Sequence, residues 1–423
     1  MVGLGYVGLP LAVAAAAAGF PVIGFDINPD RVARINGGED VSADVPAGAL
    51  RDLVAGGRFE AATDFARLGE PDALLLCVPT PLTRQREPDL SFVRATAEAV
   101  ARRLRRGQLV VLESTTYPGT TEEVLRPILE RSGLRCGVDF HLAYSPERQD
   151  PGNREHGPAT IPKVVGGVDP AALELADAFY RQVVARTVPV SSTAAAEAVK
   201  LTENIFRAVN IALVNELKVV YTAMGLDIWE VIEAAATKPF GFMPFHPGPG
   251  LGGHCIPIDP FYLTWKAREH DIATRFIELA GEVNRHMPHY VVARTAEALD
   301  RRQGRGLAGA RLLLVGIAYK RDVDDMRESP ALKLMDLLEA RGAVVDFHDP
   351  HVPVIPPTRE YGALAGRRSV PLHDGAEAAD AAIIVTDHDG VDYPGLVARV
   401  PLVVDTRDAC ARHGLRGDTI VKA

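Results

Sequence analysis

From Thr193 to Met224 the chain contains neither glycine nor proline, and alanine is its commonest residue. A run of that length without a helix breaker predicts one unusually long helix, and such a helix usually joins domains. On its N-terminal side, short apolar runs alternate with longer helical patterns: Val22 to Phe25, Ala73 to Val78, Leu109 to Leu112, His141 to Tyr144 and Lys163 to Val165. This is the βαβ rhythm of a parallel doubly wound sheet. Lys238 to Pro260 breaks every period with proline and glycine, the mark of a long ordered loop of the functional kind. A further helical stretch, about Tyr262 to Asp300, follows. A second βαβ series then uses Arg311 to Gly316, Ala343 to Phe347, Ala381 to Val385 and Pro401 to Val404. The expected fold class is α/β, with two Rossmann-like doubly wound lobes joined by a helical middle. The boundaries fall at 1–190, 191–300 and 301–423.

At 423 residues, with 47% apolar and 24% charged, the chain is too large for one core and ordinary for a soluble protein. A formal charge of −9 gives no basic field to attract nucleic acid or an acidic membrane, so the expected partner is a small molecule. Cys77, Cys136, Cys255 and Cys410 are scattered, without a CxxC pair, which fits a reducing cytoplasm and argues against a disulfide framework or a cysteine metal site. The run Leu11 to Ala18 is too short to span a bilayer and reads as a buried helix. Arg102, Arg103, Arg105 and Arg106 are expected at a helix C-terminus, where the dipole favours cations.

Gly3-Leu4-Gly5-Tyr6-Val7-Gly8 opens a helical run closed by Gly19, and Asp26 ends the next strand. Glycines let a backbone approach a pyrophosphate at a helix N-terminus, and an acid at that distance meets an adenosine ribose hydroxyl. A fortuitous glycine-rich turn is the competing reading. Asp26 favours NAD over NADP. Only Met1 and Val2 precede Gly3, whereas a central strand takes about five residues. If Met1 is the real translation start, the first strand is nearly absent and cofactor affinity is expected to suffer.

In Leu251-Gly252-Gly253-His254-Cys255-Ile256-Pro257-Ile258-Asp259-Pro260 a thiol follows two glycines inside an irregular loop, where backbone approaches a ligand closely. Cys255 is a candidate nucleophile there, set against the commoner fate of an inert buried cysteine. Lys200 and Asn204 share one helical face, so an ammonium and an amide could meet one substrate, unless the face is merely solvated like the neighbouring Glu203/Arg207 pair. Ser145-Pro146-Glu147-Arg148 follows a strand, where α/β sheets place ligands, and Glu147 is a candidate base or a plain loop acid. Lys320, Arg321 and Arg327 after a strand suit a diphosphate, or form a salt-bridged loop with Asp322, Asp324 and Asp325. His286/His289 and His348/His351 lack further ligands nearby in sequence, so no metal is expected.

GLGYVGLP at the start, CVPTP (Cys77 to Pro81), STTYPGTT (Ser114 to Thr121), SPER, the Lys200/Asn204 helix, PGPGLGGHCIPIDP and AYKRDVDDMRESP together resemble the UDP-glucose/GDP-mannose dehydrogenase family over essentially the whole chain. HCIPIDPFYLTWKA and SPERQDPGN look most like the branch acting on UDP-N-acetylhexosamines, with UDP-GlcNAc first among them. Ile258 stands where the UDP-glucose branch has a lysine, and Asp150-Pro151 where it has a second glutamate; both count against UDP-glucose.

The resemblance implies four-electron oxidation of a sugar C6 hydroxymethyl by two NAD in succession, for surface-polysaccharide precursors. Cys255 would form the thiohemiacetal and thioester. Lys200 and Asn204 would stabilise the oxyanion, Asp259 would orient or deprotonate water, and Glu147 would act as acid/base. The cofactor contacts it implies are Gly3, Gly5, Tyr6, Val7, Gly8, Asp26, Arg31, Thr80, Thr115 and Arg327. The substrate contacts are Glu147, Arg148, Lys200, Asn204, His246, Gly248, Gly250, Leu251, Gly252, Tyr319, Lys320 and Arg407. A cytoplasmic homodimer built on the long helix, with the UDP-sugar between the α/β lobes, completes the expectation. The rivals are a two-electron hydroxyacid dehydrogenase, which needs no thiol, and a non-catalytic nucleotide-sugar-binding protein.

Overall fold

The computed structural model describes residues 1–42, 45–83, 85–149, 160–253, 256–358 and 360–423. The chain divides into two compact units, Met1–Asn204 with Phe261–Ala273, and Ile205–Pro260 with Thr274–Ala423.

The first unit carries β1 (Val22–Phe25), β2 (Phe59–Ala62), β3 (Ala73–Leu76), β4 (Leu109–Leu112), β5 (His141–Tyr144), β6 (Lys163–Gly167) and β7 (Thr187–Val190). β1 and β2 pair in parallel, and a second group runs β3-β4-β5-β6-β7. Val2 joins the groups by bridging Phe25 on one side and Leu76 on the other. Its amide donates to Leu75 and its carbonyl accepts from Cys77, both at 2.8 Å, while the Gly3 amide donates to Phe25 at 2.8 Å. The central slot of the sheet is thus held by Met1 to Gly3, and the glycine loop leaves from its C-terminal end. β4 is buried at every position, as an interior parallel strand must be.

The expectation of a wholly parallel sheet needs correction. β6 runs antiparallel to β5, with Ala143 opposite Gly167 and Tyr144 opposite Gly166. Antiparallel neighbours need no crossover helix, so the apolar content of Lys163 to Val165 carried no sign of direction. A Cβ on Gly166 would stand 3.0 Å from that of Ala196, so the bare backbone lets the start of the long helix lie against the strand.

That helix spans Thr193–Ala223, as its composition predicts. Glu197, Lys200, Leu201, Asn204, Ala208, Ala212, Asn215 and Lys218 are buried at three- and four-residue spacing, which makes them one stripe. Phe206, Leu213, Val220 and Met224 are exposed. The later helical stretch is two helices rather than one, Asp259–Ala267 and Arg275–Gln303. A 3₁₀ turn at Arg268–His270 ends in Asp271 at φ 55°, a left-handed conformation aspartate tolerates, and this breaks the run.

The second unit carries β8 (Arg311–Val315), β9 (Val344–His348), β10 (Ala381–Ile384), β11 (Val403–Asp405) and β12 (Ile420–Lys422). The order is β12-β11-β10-β8-β9 with every pair parallel. Strand order reverses between β8 and β10, so the crevice beyond their C-terminal ends is the ligand position of this topology. Leu312, Leu314, Ile383 and Val404 lie in its core.

The arginine run begins at a helix C-terminus as expected, with Arg102 the C-cap of the Ser91–Ala101 helix, and its later members do more than follow the helix. Arg105 donates to the Gly69 carbonyl at 2.8 Å and pairs with Asp72 at 2.5 Å, and Arg106 pairs with Asp139 at 2.9 Å. Arg105 and Arg106 thus close loops. Among the described residues no helix is long and apolar enough to cross a membrane.

Candidate active site

The glycine loop fits a dinucleotide. Gly3 has φ +89°, and a Cβ there would collide with the Cys77 carbonyl, while one on Gly8 would meet Cys77 Cβ at 3.1 Å. Nothing lies within 4 Å of a Cβ on Gly5, which faces open space. The Gly8–Ala17 helix starts at Val7 with no side-chain cap and no acid in its first turn, so its positive end meets an anion without competition from a fixed carboxylate; Leu9 already donates its amide to the Gly5 carbonyl at 3.1 Å and Pro10 has none. Tyr6 sits in the turn before it. Asp26 accepts from the Leu4 amide at 3.0 Å and the Asn28 amide at 2.9 Å, and Arg31 donates to the Leu4 carbonyl. The two contacts to Leu4 fix the loop against the end of β1.

The ends of β3 and β4 are tied beside it. Ser114 Oγ accepts from the Val78 amide at 3.0 Å and donates to its carbonyl at 2.7 Å. Thr80, buried, receives the Tyr262 hydroxyl on its carbonyl at 2.9 Å, and Thr115 is half-buried. Glu197, on the long helix, accepts from the Gly119 amide at 2.6 Å, the Thr121 amide at 2.9 Å and Thr121 Oγ1 at 2.7 Å. Burial nevertheless pushes its carboxyl up to about 7.

Glu147 follows β5 and is no plain loop acid. Its Oε1 accepts from the amides of Arg148 and Gln149 at 2.7 Å each, and its Oε2 faces Lys163 Nζ at 3.3 Å. Lys163 Nζ lies 2.5 Å from Glu113 Oε2, and the Tyr180 hydroxyl donates to the same glutamate. Burial raises Glu113, with Lys163 opposing it. Arg148 pairs with Glu203 at 2.5 Å, which joins the Ser145 to Arg148 segment to the long helix. On that helix Lys200 is 5% exposed and Asn204 is fully buried, so the solvated-face reading fails. The Lys200 side chain makes no ion pair or hydrogen bond with another described residue.

In the second unit, the Gly248 amide donates to Asn215 Oδ1 at 3.0 Å, Asn215 Nδ2 to Asn284 Oδ1 at 2.9 Å, and Asn284 Nδ2 to the Ala208 carbonyl at 3.0 Å. These bonds tether the substrate-loop candidate to the long helix. A Cβ on Gly248 would stand 2.5 Å from Arg407 Nη1, and one on Gly252 2.6 Å from Tyr319 Cβ. Gly250 has φ +131° beside Pro288 and Pro330, and Leu251 is half-buried. His246 stacks on Trp229 at 5.3 Å. The loop therefore lies against the β8 end carrying Tyr319 and Lys320, and against Arg407 after β11. Burial lowers Arg407, helped by the like charges of Arg412 and Arg321. Arg327 forks onto Asp325, its Nε 2.9 Å and its Nη2 2.6 Å from Oδ2. Asp259 is buried where the Asp259–Ala267 helix begins. His254 and Cys255 lie outside the described residues.

Asp322, His351 and His388 bring one ligand atom each within 4.8 Å of one another. The Asp322 amide donates to His388 Nδ1 at 3.0 Å, and Nε2 meets Asp349 at 3.1 Å. Both nitrogens are engaged, so the cluster reads as a hydrogen-bonded brace. Cys77, Cys136 and Cys410 are free thiols.

Glu113, Lys163, Tyr180 and Glu197 were not singled out from sequence. A charged residue at either end of an apolar strand was the available signal for the first two, because such groups are buried only when paired.

Three family profiles match in chain order: the NAD binding domain over residues 1–184, the central domain over 194–286 and the UDP binding domain over 313–412. The chain belongs to the UDP-glucose/GDP-mannose dehydrogenase family. It is an NAD-dependent oxidoreductase of the nucleotide-sugar dehydrogenase kind, with the α/β fold expected. It is 39% identical to a UDP-N-acetyl-D-glucosamine 6-dehydrogenase of Pseudomonas aeruginosa over 378 residues, 89% of this chain and 88% of that one. Identity is 36% to a UDP-N-acetyl-D-mannosamine dehydrogenase of Pyrococcus horikoshii over 92% of this chain and 88% of that one. The solved UDP-D-ManNAc dehydrogenase structure from Pyrococcus horikoshii superposes with a TM-score of 0.89 at 33% identity, covering 100% of this chain and 97% of that one.

Proposed function

We propose that this dehydrogenase oxidises the C6 hydroxymethyl of a UDP-N-acetylhexosamine, UDP-GlcNAc first, to the carboxylate through a covalent intermediate on Cys255. The observation that carries the reading is Lys200, an ammonium 5% exposed and one helical turn from fully buried Asn204, without a counter-ion among the described residues. A buried cation lacking a fixed anion is suited to an oxygen that becomes negative during reaction.

In this reading the glycine loop and Asp26 would hold NAD, which would supply the hydride acceptor for each of the two oxidations. Lys200 and Asn204 stabilise the substrate oxygen while it is negative. The Cys255 thiolate adds to the aldehyde, which captures it before it can leave. Loss of the second hydride leaves a thioester. Asp259 orients the water that attacks it, and Glu147 takes and returns the proton. Arg148, Tyr319, Lys320, Arg407 and the His246 to Gly252 loop hold the nucleotide sugar; Thr80, Thr115, Arg31 and Arg327 complete the cofactor contacts. The division at 1–190, 191–300 and 301–423 assigns these roles to three domains. The exposed apolar face of the long helix, Phe206, Leu213, Val220 and Met224, supports a homodimer, because an apolar stripe of that length is rarely left in water.

NADH formation from UDP-GlcNAc, UDP-GalNAc, UDP-ManNAc and UDP-glucose in parallel tests the substrate. The expected order places UDP-GlcNAc first in kcat/KM. A preference for UDP-glucose of tenfold or more would overturn the N-acetylhexosamine reading; a preference for UDP-ManNAc would move the assignment to the activity named for the Pyrococcus horikoshii relative.

A further inference from the structure

We propose that Lys163 and Glu113 form a counter-ion pair behind Glu147, positioning residues that let Glu147 alternate between carboxylate and carboxylic acid during thioester hydrolysis. The inference rests on the acid/base role given to Glu147 above.

Three charged side chains from three strand ends meet in one buried place. Glu113 follows β4 with its side chain wholly buried, Lys163 opens β6 with 6% side-chain exposure, and Glu147 follows β5 with 13%. The ammonium lies 2.5 Å from one carboxylate and 3.3 Å from the other. A buried ammonium with a single carboxylate partner would hold that partner permanently ionised, because protonating it strands a bare charge in a poor solvent. Two partners change the balance. With Glu147 ionised, Lys163 is shared by two anions; with Glu147 protonated, Lys163 and Glu113 remain as a neutral pair. The cation behind Glu147 is thereby compensated in both states.

The other groups around the pair fit this assignment. Tyr180, on the Pro170–Val183 helix, donates its hydroxyl to Glu113, and its ring centre lies 5.4 Å from Lys163 Nζ. The Cys77 thiol, after β3, also feels Glu113, Lys163 and Glu147, and burial pushes it up so that it stays protonated. Arg148 is turned onto Glu203. Among the described residues Lys163 is thus the cation that pairs with Glu147 Oε2, and Glu113 is its standing partner.

In the step concerned, a water oxygen bonds the thioester carbon while a water proton passes to Glu147. The carbon–sulfur bond then breaks, sulfur leaves with the electron pair as the Cys255 thiolate, and the proton on Glu147 passes on to that thiolate. Neither Lys163 nor Glu113 touches substrate.

The test is the pH profile of kcat and KM for NADH formation from UDP-N-acetylglucosamine in full-length enzyme. Glu147→Gln comes first, because its loss of the acid limb assigns that limb to Glu147. Lys163→Met then removes an opposite charge and moves the limb up by about one pH unit or more. Glu113→Gln removes the alternative partner, moves the limb down, and lowers kcat about tenfold at little cost in KM, since Glu147 is now pinned ionised. Lys163→Arg keeps the wild-type limb, and Lys163→Gln, which also removes the charge, carries the contrast with Glu113→Gln should the methionine variant not fold. A merely structural pair would lower activity without shifting the limb in opposite directions. If Glu147→Gln abolishes the limb but both charge variants leave it in place or move it the same way, the inference is overturned and the role of Glu147 stands. If Glu147→Gln keeps the wild-type limb, both are overturned.

Discussion

Thr121 donates twice to Glu197, from its amide at 2.9 Å and its hydroxyl at 2.7 Å, and so fastens the Ser114 to Thr121 loop to the helix that carries Lys200. Burial raises the Glu197 carboxyl from 4.5 to about 7. For a carboxyl raised on folding, the native state binds more protons than the unfolded chain, so its contribution is fully present below about 4.5 and is lost as pH rises through about 7. Wild type should lose on the order of 3 kcal/mol between pH 4.5 and 8 from this group. Glu197→Gln should show a flatter stability profile over the same window by urea unfolding. Parallel curves for the two proteins would contradict the buried-carboxyl account.

Gly5 and Gly8 separate cofactor binding from folding. Gly5→Ala meets nothing within 4 Å and should melt like wild type, yet its methyl stands where the pyrophosphate approaches, so NAD affinity should fall about tenfold or more. Gly8→Ala meets Cys77 Cβ at 3.1 Å as well as the Gly3 carbonyl, and should lose stability and cofactor together. Thermal melts beside NAD titrations check both, and a Gly5→Ala protein with wild-type NAD affinity would move the cofactor off this loop.

Gly248→Ala should raise KM for the UDP-sugar about tenfold with NAD affinity unchanged, an effect of about 1.4 kcal/mol. A Cβ there displaces Arg407, whose Nη1 is 2.5 Å away. Equal loss of NAD and sugar affinity would mean that the variant had disturbed the fold instead.

Leu213→Arg with Val220→Arg places two charges on the exposed apolar stripe of the long helix, where the native residues are 51% and 45% exposed. The dimer proposed above should become a monomer by light scattering. A monomeric wild type, or a double variant that stays dimeric, removes this face as the interface.

Much of this arrangement could be read locally. The long helix announced itself because nothing between Thr193 and Met224 breaks a helix, and the glycine loop because backbone proximity demands that spacing. What escaped is what depends on distant partners. Glu113 and Lys163 are fifty residues apart, and only the neighbouring ends of β4 and β6 around β5 make them a pair. β2, β7 and β12 are three or four residues long with mixed polarity, so tertiary pairing rather than periodicity defines them. The break at Asp271 rests on a single left-handed residue.

The central claim is covalent four-electron oxidation, and the number of NADH formed per sugar tests it most directly. With limiting UDP-GlcNAc and excess NAD, wild type should yield two NADH per sugar and the uronate, and Cys255→Ala should fail to complete that oxidation. One NADH per sugar from wild type, or a Cys255→Ala enzyme that still yields two, would contradict the thioester route.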